Sequence, residues 1–481
     1  MKTSKIVERL GIRPGPLFGL AVQAGERLRQ EGLDAHEHLA RALDAHAPLL
    51  SEADAVPEAV RPLLERLRAH AEAQRATEAQ RALETPRTEP LPYADFGADL
   101  VDSAARAQMT NALRLPIAAA GALMPDAHVG YGLPIGGVLA TDNAVVPYAV
   151  GVDIACRMML TVYPVDERHL DRHRQDLSRA LVQETAFGAG AGGLKRSHAV
   201  LDDERFGSTG LLRRLKDKAA HQLGSSGGGN HFVEWGLVEA VGDVADDAGA
   251  PALAKGQTYL ALLSHSGSRG VGFAIANHYT DVAMKARAGL PQELKHLAWL
   301  SLDEEDGAAY WEAMHLAGDF ASACHHVIHK HVAKAAGLKP ILSVENHHNF
   351  AWKEVHGGRD VLVHRKGATP AGAGVRGIIP GSMAAPGFVV EGLGHAASLD
   401  SASHGAGRQM GRKQAARTIA KKEMEAALDA AGVTLLGGGR DEAPQAYKPI
   451  SEVMAAQTDL VRVLARFRPK IVRMADDDAA Y

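Results

Sequence analysis

Residues 258–270 read TYLALLSHSGSRG. An apolar run of strand length passes straight into a loop of Ser, Gly and Arg that carries His265, the pattern of a buried strand closed by a polar turn. A histidine that served only core packing would not need small polar neighbours. The pattern recurs along the chain. ILSV (341–344) leads to Glu345, Asn346, His347 and His348, VLV (361–363) leads to His364, and the strand-like AVVPYAVGV (144–152) delivers Asp153 and then Cys156. Long helical patterns intervene at 308–336 and 408–430. Strands and helices mixed without a regular strand–helix–strand repeat predict an α+β domain of complex mixed topology, rather than a doubly wound sheet.

Upstream the character changes. Residues 17–84 are rich in Ala, Leu, Arg, Glu and His, with Leu39, Leu43, Leu63, Leu64 and Leu67 at helical spacing, and TPRTEPLPY (85–93) closes the region like a linker. The expected organisation is therefore a helical N-terminal extension with its linker over 1–90 and a catalytic domain over 91–481.

The 481 residues carry a formal charge of −4, so no global basic field marks a nucleic-acid partner, and any such binding needs a local groove. Two cysteines exclude a disulfide framework and suit a reducing compartment. A charged N-terminus and the lack of any apolar stretch near the roughly 20 residues that span a bilayer make a cytoplasmic enzyme the expectation, with no membrane partner. The 50 glycines and 24 histidines are the informative excess.

Asp153 and Cys156 offer a carboxylate and a thiolate, His231 sits in SSGGGNHFVE (225–234), and His265 and His348 end the runs above. Oxygen, sulfur and imidazole donors on short loops suit a borderline divalent metal, and a thiolate can bridge two ions. CHHVIHKH (324–331) spaces His325 and His329 one helical turn apart, but it lies within a long amphipathic helix and reads better as a solvated or partly buried polar face. Gly224–Asn230, Pro380–Met383, HRKGATPA (364–371) and SHGAGR (403–408) are Gly-rich or cationic loops that could wrap phosphates, the last before the helix expected at 408–430.

MPDAHVGYGLPIGGV (124–138), GVDIACRM, GGGNHFVE, SHSGSRGVG, ENHHNF, HRKGATPA, IIPGSM and SHGAGR occur in that order. Together they resemble the RtcB family of RNA-splicing ligases, from about residue 93 onward. The resemblance implies two Mn²⁺ ions, one held by Asp153, Cys156 and His231, the other by Cys156, His265 and His348. It implies His404 as the nucleophile that takes GMP from GTP. Guanine-nucleotide contacts would fall on Asn230, Phe232, Glu234, Asn349, Pro380, Gly381, Ser382, Met383, Gly405, Ala406, Gly407 and Tyr447. The implied partner is RNA with a 3′-phosphate (or 2′,3′-cyclic phosphate) and a 5′-hydroxyl end; an activating protein partner is possible, its identity unknown. Arg269, Arg365, Lys366 and Arg408 are candidate holders of RNA or pyrophosphate oxygens. The chain departs from the family pattern at Ala155, Arg157 and Gly411, and at its PKIVRMADDDAAY end, where relatives carry a Lys–Gly that contacts guanine. A dinuclear phosphohydrolase and a non-catalytic RNA-binding paralogue are the rival readings.

Overall fold

The computed structural model describes residues 2–12, 16–44, 57–69, 84–97, 99–246 and 248–476. It separates into two units, Met1–Thr85 and Pro86–Tyr481.

In the first unit helices Thr3–Arg9, Pro16–Gln30 and Ala35–Asp44 are followed by a 3₁₀ turn, Glu58–Val60, that runs on as helix 61–69. Ala21, Ala24 and Leu28 recur at helical spacing and close a small core with Ile6, Val7, Leu39, Val60 and Leu63. Gly25 lets two helices touch, since a Cβ there would lie 2.4 Å from Thr3 Cγ2. Residues 45–56 and 70–83 of the expected extension lie outside the described residues.

The second unit is built on two sheets. The larger has the order Leu342–His347, Arg157–Tyr163, Thr258–Ser266, Phe232–Ala240, Val461–Met474, Gly387–Gly392, Arg376–Ile379, with Thr434–Leu435 pairing parallel to Val461–Met474. All its other pairings are antiparallel. One core behind it joins Tyr163, Trp235, Leu262 and Ile471 to Leu177 and Leu181 of helix Glu167–Glu184 and to Ile328 and Val332 of helix Glu305–Ala335. Fully buried Trp235 satisfies its indole by donating to the Leu177 carbonyl at 3.2 Å, so its truncation to Ala would cost about 3–5 kcal/mol. The smaller sheet has the order Ala94–Asp95, Ala118–His128, Ile135–Thr141, Arg359–Lys366, Asn349–His356. Asn349–His356 leaves His348 directly after Leu342–His347 of the larger sheet, so this one chain segment ties the two sheets together. Among the described residues no helix is long and apolar enough to cross a membrane.

Three local expectations are corrected. AVVPYAVGV is not a strand: after the short strand Ala144–Val145, Pro147 begins a one-turn helix, Pro147–Val150, as Pro favours the first helical position. The helix expected at 408–430 is two, Arg412–Thr418 and Lys421–Ala431. Arg408 cannot enter the first, because it bridges Tyr447 in an extended conformation and lies over that ring at 5.0 Å. His325 and His329 are not a solvated face. Both are buried, and the Ser264 hydroxyl lies 2.6 Å from His325 Nδ1 and 2.7 Å from His329 Nε2, with Thr161 Oγ1 2.7 Å from His329 Nδ1. Burial holds the His325 ring well below its usual range and pulls His329 down to about 3, so the pair is a neutral polar tie between helix and sheet.

Candidate metal and nucleotide centre

Gly151, at φ 101°, turns the chain out of the one-turn helix, and the next residues form a tight loop into strand Arg157–Tyr163. The Cys156 N–H donates to the Asp153 carbonyl at 3.1 Å, Ala155 N–H to the Asn349 carbonyl at 2.7 Å, and His348 N–H to the Cys156 carbonyl at 3.0 Å. Ala155 therefore sits at φ 55°, a left-handed conformation that costs a Cβ-bearing residue roughly 1–2 kcal/mol. Burial of its methyl group offsets part of that cost.

His265 is the penultimate residue of strand Thr258–Ser266, and His231 immediately precedes strand Phe232–Ala240. Register pairs His265 with both Met158 and Phe232, which brings the ends of three strands together. Two glycines let the loops close. A Cβ at Gly227 would lie 1.9 Å from His231 Nδ1, and one at Gly267 would lie 2.2 Å from Asp153 Oδ1.

The donor atoms converge. Cys156 Sγ lies 3.5 Å from His231 Nε2 and 3.1 Å from His265 Nε2. His231 Nε2 lies 3.0 Å from Asp153 Oδ2, and His265 Nε2 lies 3.3 Å from His348 Nε2. Cys156 thus stands between an Asp153–His231 lobe and a His265–His348 lobe. His265 Nδ1, 2.9 Å from the Asn230 carbonyl, donates its proton there, which leaves Nε2 as a lone pair aimed at the thiol. Burial pulls His265 down to about 3 and His348 well below its usual range, so both rings are neutral ligands at pH 7. Burial, with Asp153 beside it, pushes the Cys156 thiol well up. Burial opposes charge on Asp153 too, yet the His231 contact keeps its carboxyl below the usual range. Among the described residues, Nδ1 of His231 and of His348 are buried without a hydrogen-bond partner. Lone pairs crowded together with so few protons between them fit divalent cations.

Beside this cluster His404 follows the short strand Ser401–Ser403, its ring centroid 4.9 Å from that of His348. Asp126, fully buried on strand Ala118–His128, puts Oδ2 2.6 Å from His404 Nδ1 and accepts the N–H groups of His404 at 3.0 Å and Gly405 at 3.3 Å. Burial disfavours the charged Asp126, but His404 and the nearby Lys448 keep its carboxyl below the usual range. Asp126 was not singled out from the sequence, although MPDAHVGYGLPIGGV contains it; an acid inside a Gly-rich motif was the available signal.

A cavity of about 420 Å³ opens over both groups. It is lined by Asp153, Cys156, His231, His265, His348 and His404, and also by Asn230, Phe232, Glu234, Asn349, Pro380, Gly381, Ser382, Met383, Gly405, Ala406, Gly407 and Tyr447, so every residue of the expected site meets in one space. Burial pushes the Glu234 carboxyl well above its usual range, which favours its protonated, hydrogen-bond-donating form. Sequence reading had not singled out His128, Tyr131, Tyr148 and Glu442, which also line the cavity. Glu442 accepts from the Tyr447 hydroxyl and pairs with Arg408 at 3.1 Å and Arg412 at 3.3 Å.

The four candidate cations divide. Lys366 and Arg408 reach the cavity. Arg365 does not: only 1% exposed, it forks onto Glu354 at 2.6 and 2.9 Å, because alternation along the strand turns it away from the face of Lys366. Arg269 is likewise absorbed, by the Gly188 carbonyl at 2.7 Å and Ser225 Oγ at 3.3 Å. Near the chain's end Val472 and Met474 line the cavity, whereas Lys470 pairs with Glu167 at 3.8 Å and Arg473 lies over Phe187. Residues 477–481 lie outside the described residues.

Comparison with known proteins is consistent with this geometry. The family model described as tRNA-splicing ligase RtcB matches residues 108–210 and 203–475. The chain is 34% identical over 397 residues to the RNA-splicing ligase RtcB of Escherichia coli K12, covering 76% of this chain and 93% of that protein. It is 32% identical over 428 residues to the RNA-splicing ligase RtcB of Mycobacterium tuberculosis, covering 75% and 98%. With the tRNA-splicing ligase RtcB of Thermococcus kodakarensis it shares 30% identity over 432 residues, covering 75% and 89%.

Proposed function

The chain belongs to the RtcB family and is an RNA ligase; on that premise we propose that it joins an RNA 3′-phosphate to a 5′-hydroxyl through a GMP adduct of His404. The observation that carries the proposal is the 2.6 Å contact between Asp126 Oδ2 and His404 Nδ1, beside the convergent donors. A carboxylate on Nδ1 holds the proton there and leaves Nε2 as the nucleophilic lone pair. Asp153, Cys156 and His231 would hold one divalent ion and Cys156, His265 and His348 a second, Mn²⁺ by resemblance. When bound, such a pair supplies Lewis-acid neutralisation of phosphate charge.

His404 Nε2 attacks the α-phosphorus of GTP; the N–P bond forms and pyrophosphate leaves. Asp126 stabilises the positive charge that develops on the ring. An oxygen of the RNA 3′-phosphate then takes GMP and frees His404. The 5′-hydroxyl of the second end attacks the activated phosphorus, losing its proton as GMP departs. A 2′,3′-cyclic phosphate is first hydrolysed to the 3′-phosphate. The Glu234, Asn230, Phe232 and Tyr447 side chains would hold the nucleotide; Lys366 is the candidate for phosphate oxygens, whereas Arg408 spends its donors on Met410, Asp441 and Glu442. Cys156 and Cys324, both free thiols, fit a reducing compartment, and we assign the enzyme to the cytoplasm.

The test is to incubate the protein with Mn²⁺ and GTP labelled at the α-phosphate, denature it, and look for label on the chain. Acid-labile label that His404→Ala abolishes is the expected result. Metal-loaded protein that takes no label from any nucleotide, yet releases phosphate from cyclic phosphates, would replace the ligase with a phosphohydrolase.

A further inference from the structure

At the mouth of the cavity the loop after strand Ala118–His128 holds Tyr131 71% exposed. Single exposed apolar side chains need no explanation, but this ring is neither isolated nor loosely held. It stacks against Tyr148 with centroids 6.4 Å apart and planes 30° from parallel, and His296 packs edge-on to Tyr148 at 5.0 Å. The backbone beneath is fixed at three points. Gln108 clamps Gly130 in both directions, its Oε1 accepting the Gly130 N–H at 2.9 Å and its Nε2 donating to the Gly130 carbonyl at 2.5 Å. The Lys366 ammonium donates to the Tyr131 carbonyl. Gly132, at φ 70°, lies so close to His296 that a Cβ would approach its carbonyl oxygen to 2.8 Å. A loop fixed at its backbone that still leaves its one aromatic ring mostly in water has the construction of a stacking platform.

We propose that Tyr131, backed by Tyr148, is the subsite that stacks the unpaired nucleobase of a reacting RNA end as that end enters the cavity; this rests on the ligase reading above. The occupant follows from position. The ring sits on the rim of the cavity that holds His404, and its own carbonyl is tied to Lys366, a cation of that cavity, so a chain whose terminal phosphate reaches in must lay a nearby base across the rim. Every base has a π-face, so such a platform grips RNA ends without regard to sequence. The base belongs either to the 3′-phosphate strand or to the 5′-hydroxyl strand.

The test uses the full-length Mn²⁺-loaded protein and two short oligoribonucleotides, one with 2-aminopurine as the last base before a 3′-phosphate, the other with 2-aminopurine as the first base after a 5′-hydroxyl. Binding should quench the fluorescence of one of them, which identifies the strand. Tyr131→Ala should abolish that quenching and weaken binding roughly ten- to hundredfold, whereas Tyr131→Phe should keep both. An oligonucleotide with an abasic residue at the quenched position should bind wild type and Tyr131→Ala equally well. Quenching that survives in Tyr131→Ala overturns the proposal. So does quenching that excess GTP displaces in a Tyr131-dependent way, which would give the platform to guanine, or a Tyr131-dependent dimer in sedimentation with no quenching. Because quenching reads binding alone, it decides the question even if no label appears on His404; that absence would count only against the ligase reading.

Discussion

Asp126 and His404, 278 residues apart in sequence, are joined by one carboxylate oxygen that meets Nδ1 of the ring at 2.6 Å and the backbone N–H groups of His404 and Gly405 at 3.0 and 3.3 Å. Three contacts to one oxygen fix the ring's position and its tautomer together. Asp126→Asn keeps the shape but can present an N–H to Nδ1, which would move the ring proton to Nε2 and remove the lone pair. The rate of label transfer from α-labelled GTP should fall about 10²- to 10⁴-fold while bound metal, read by elemental analysis, stays unchanged. A variant that labels at the wild-type rate would remove Asp126 from the mechanism.

Metal binding should release about one proton near pH 7. In the metal-free protein burial and Asp153 keep the Cys156 thiol protonated, whereas His265 and His348 are already neutral and Asp153 already ionised. The thiol must give up its proton to bind a cation, so affinity should rise with pH through the neutral range. Titration calorimetry in buffers of different ionisation enthalpy counts the proton. Cys156→Ala, which removes the atom shared by both lobes, should lower metal stoichiometry and proton release together.

Adjacent cations on one strand should behave oppositely. Arg365→Met removes the fork on the half-buried Glu354 carboxylate, leaving it only His356 at 2.7 Å, and should cost about 1–3 kcal/mol in denaturant unfolding. Lys366→Met removes an amine that burial has already pulled down to about 7; stability should hold or rise while RNA joining falls. Joining by Lys366→Met at the wild-type rate would deny it a phosphate-holding role.

Acid should erase a specific contribution at Glu345. Burial opposes its charge, but His326 and Arg157 lower its carboxyl to about 2, against an ordinary value of 4.5. A depressed carboxyl stabilises the fold above the unfolded value and loses that stabilisation as pH falls through the folded one. Wild type should therefore melt above Glu345→Gln at pH 5 and higher, with the gap closing between pH 4.5 and 2. A calorimetric gap that stayed constant over that range would mean the carboxylate's charge plays no part.

The histidine donors were legible because His231, His265 and His348 each sit at or beside a strand end with Gly, Ser or Asn close by, a local pattern that survives in one dimension. What failed was long-range. Arg365 and Lys366 are neighbours in sequence, and only the pairing of their strand with Ile135–Thr141 decides which faces the cavity. His325 and His329 look like a polar helix stripe until Ser264 and Thr161 are brought beneath them. The helix start at Arg412 could not be found four residues early, because the contact that delays it, Arg408 with Tyr447, spans 39 residues. Asp126 escaped notice since its partner is remote and its neighbours are apolar.

The order of strands in the larger sheet has a consequence for biosynthesis. Val461–Met474 lies between Phe232–Ala240 and Gly387–Gly392, so a nascent chain with every proposed metal ligand and His404 already outside the ribosome still lacks the ribbon that joins the two halves of that sheet. Loop closure over some 220 residues must precede the reward of those ladders. The centre should thus stay open until Val461–Met474 has left the ribosome and paired, and a polypeptide stalled before Val461 would be a client for chaperones rather than a ligase of low activity.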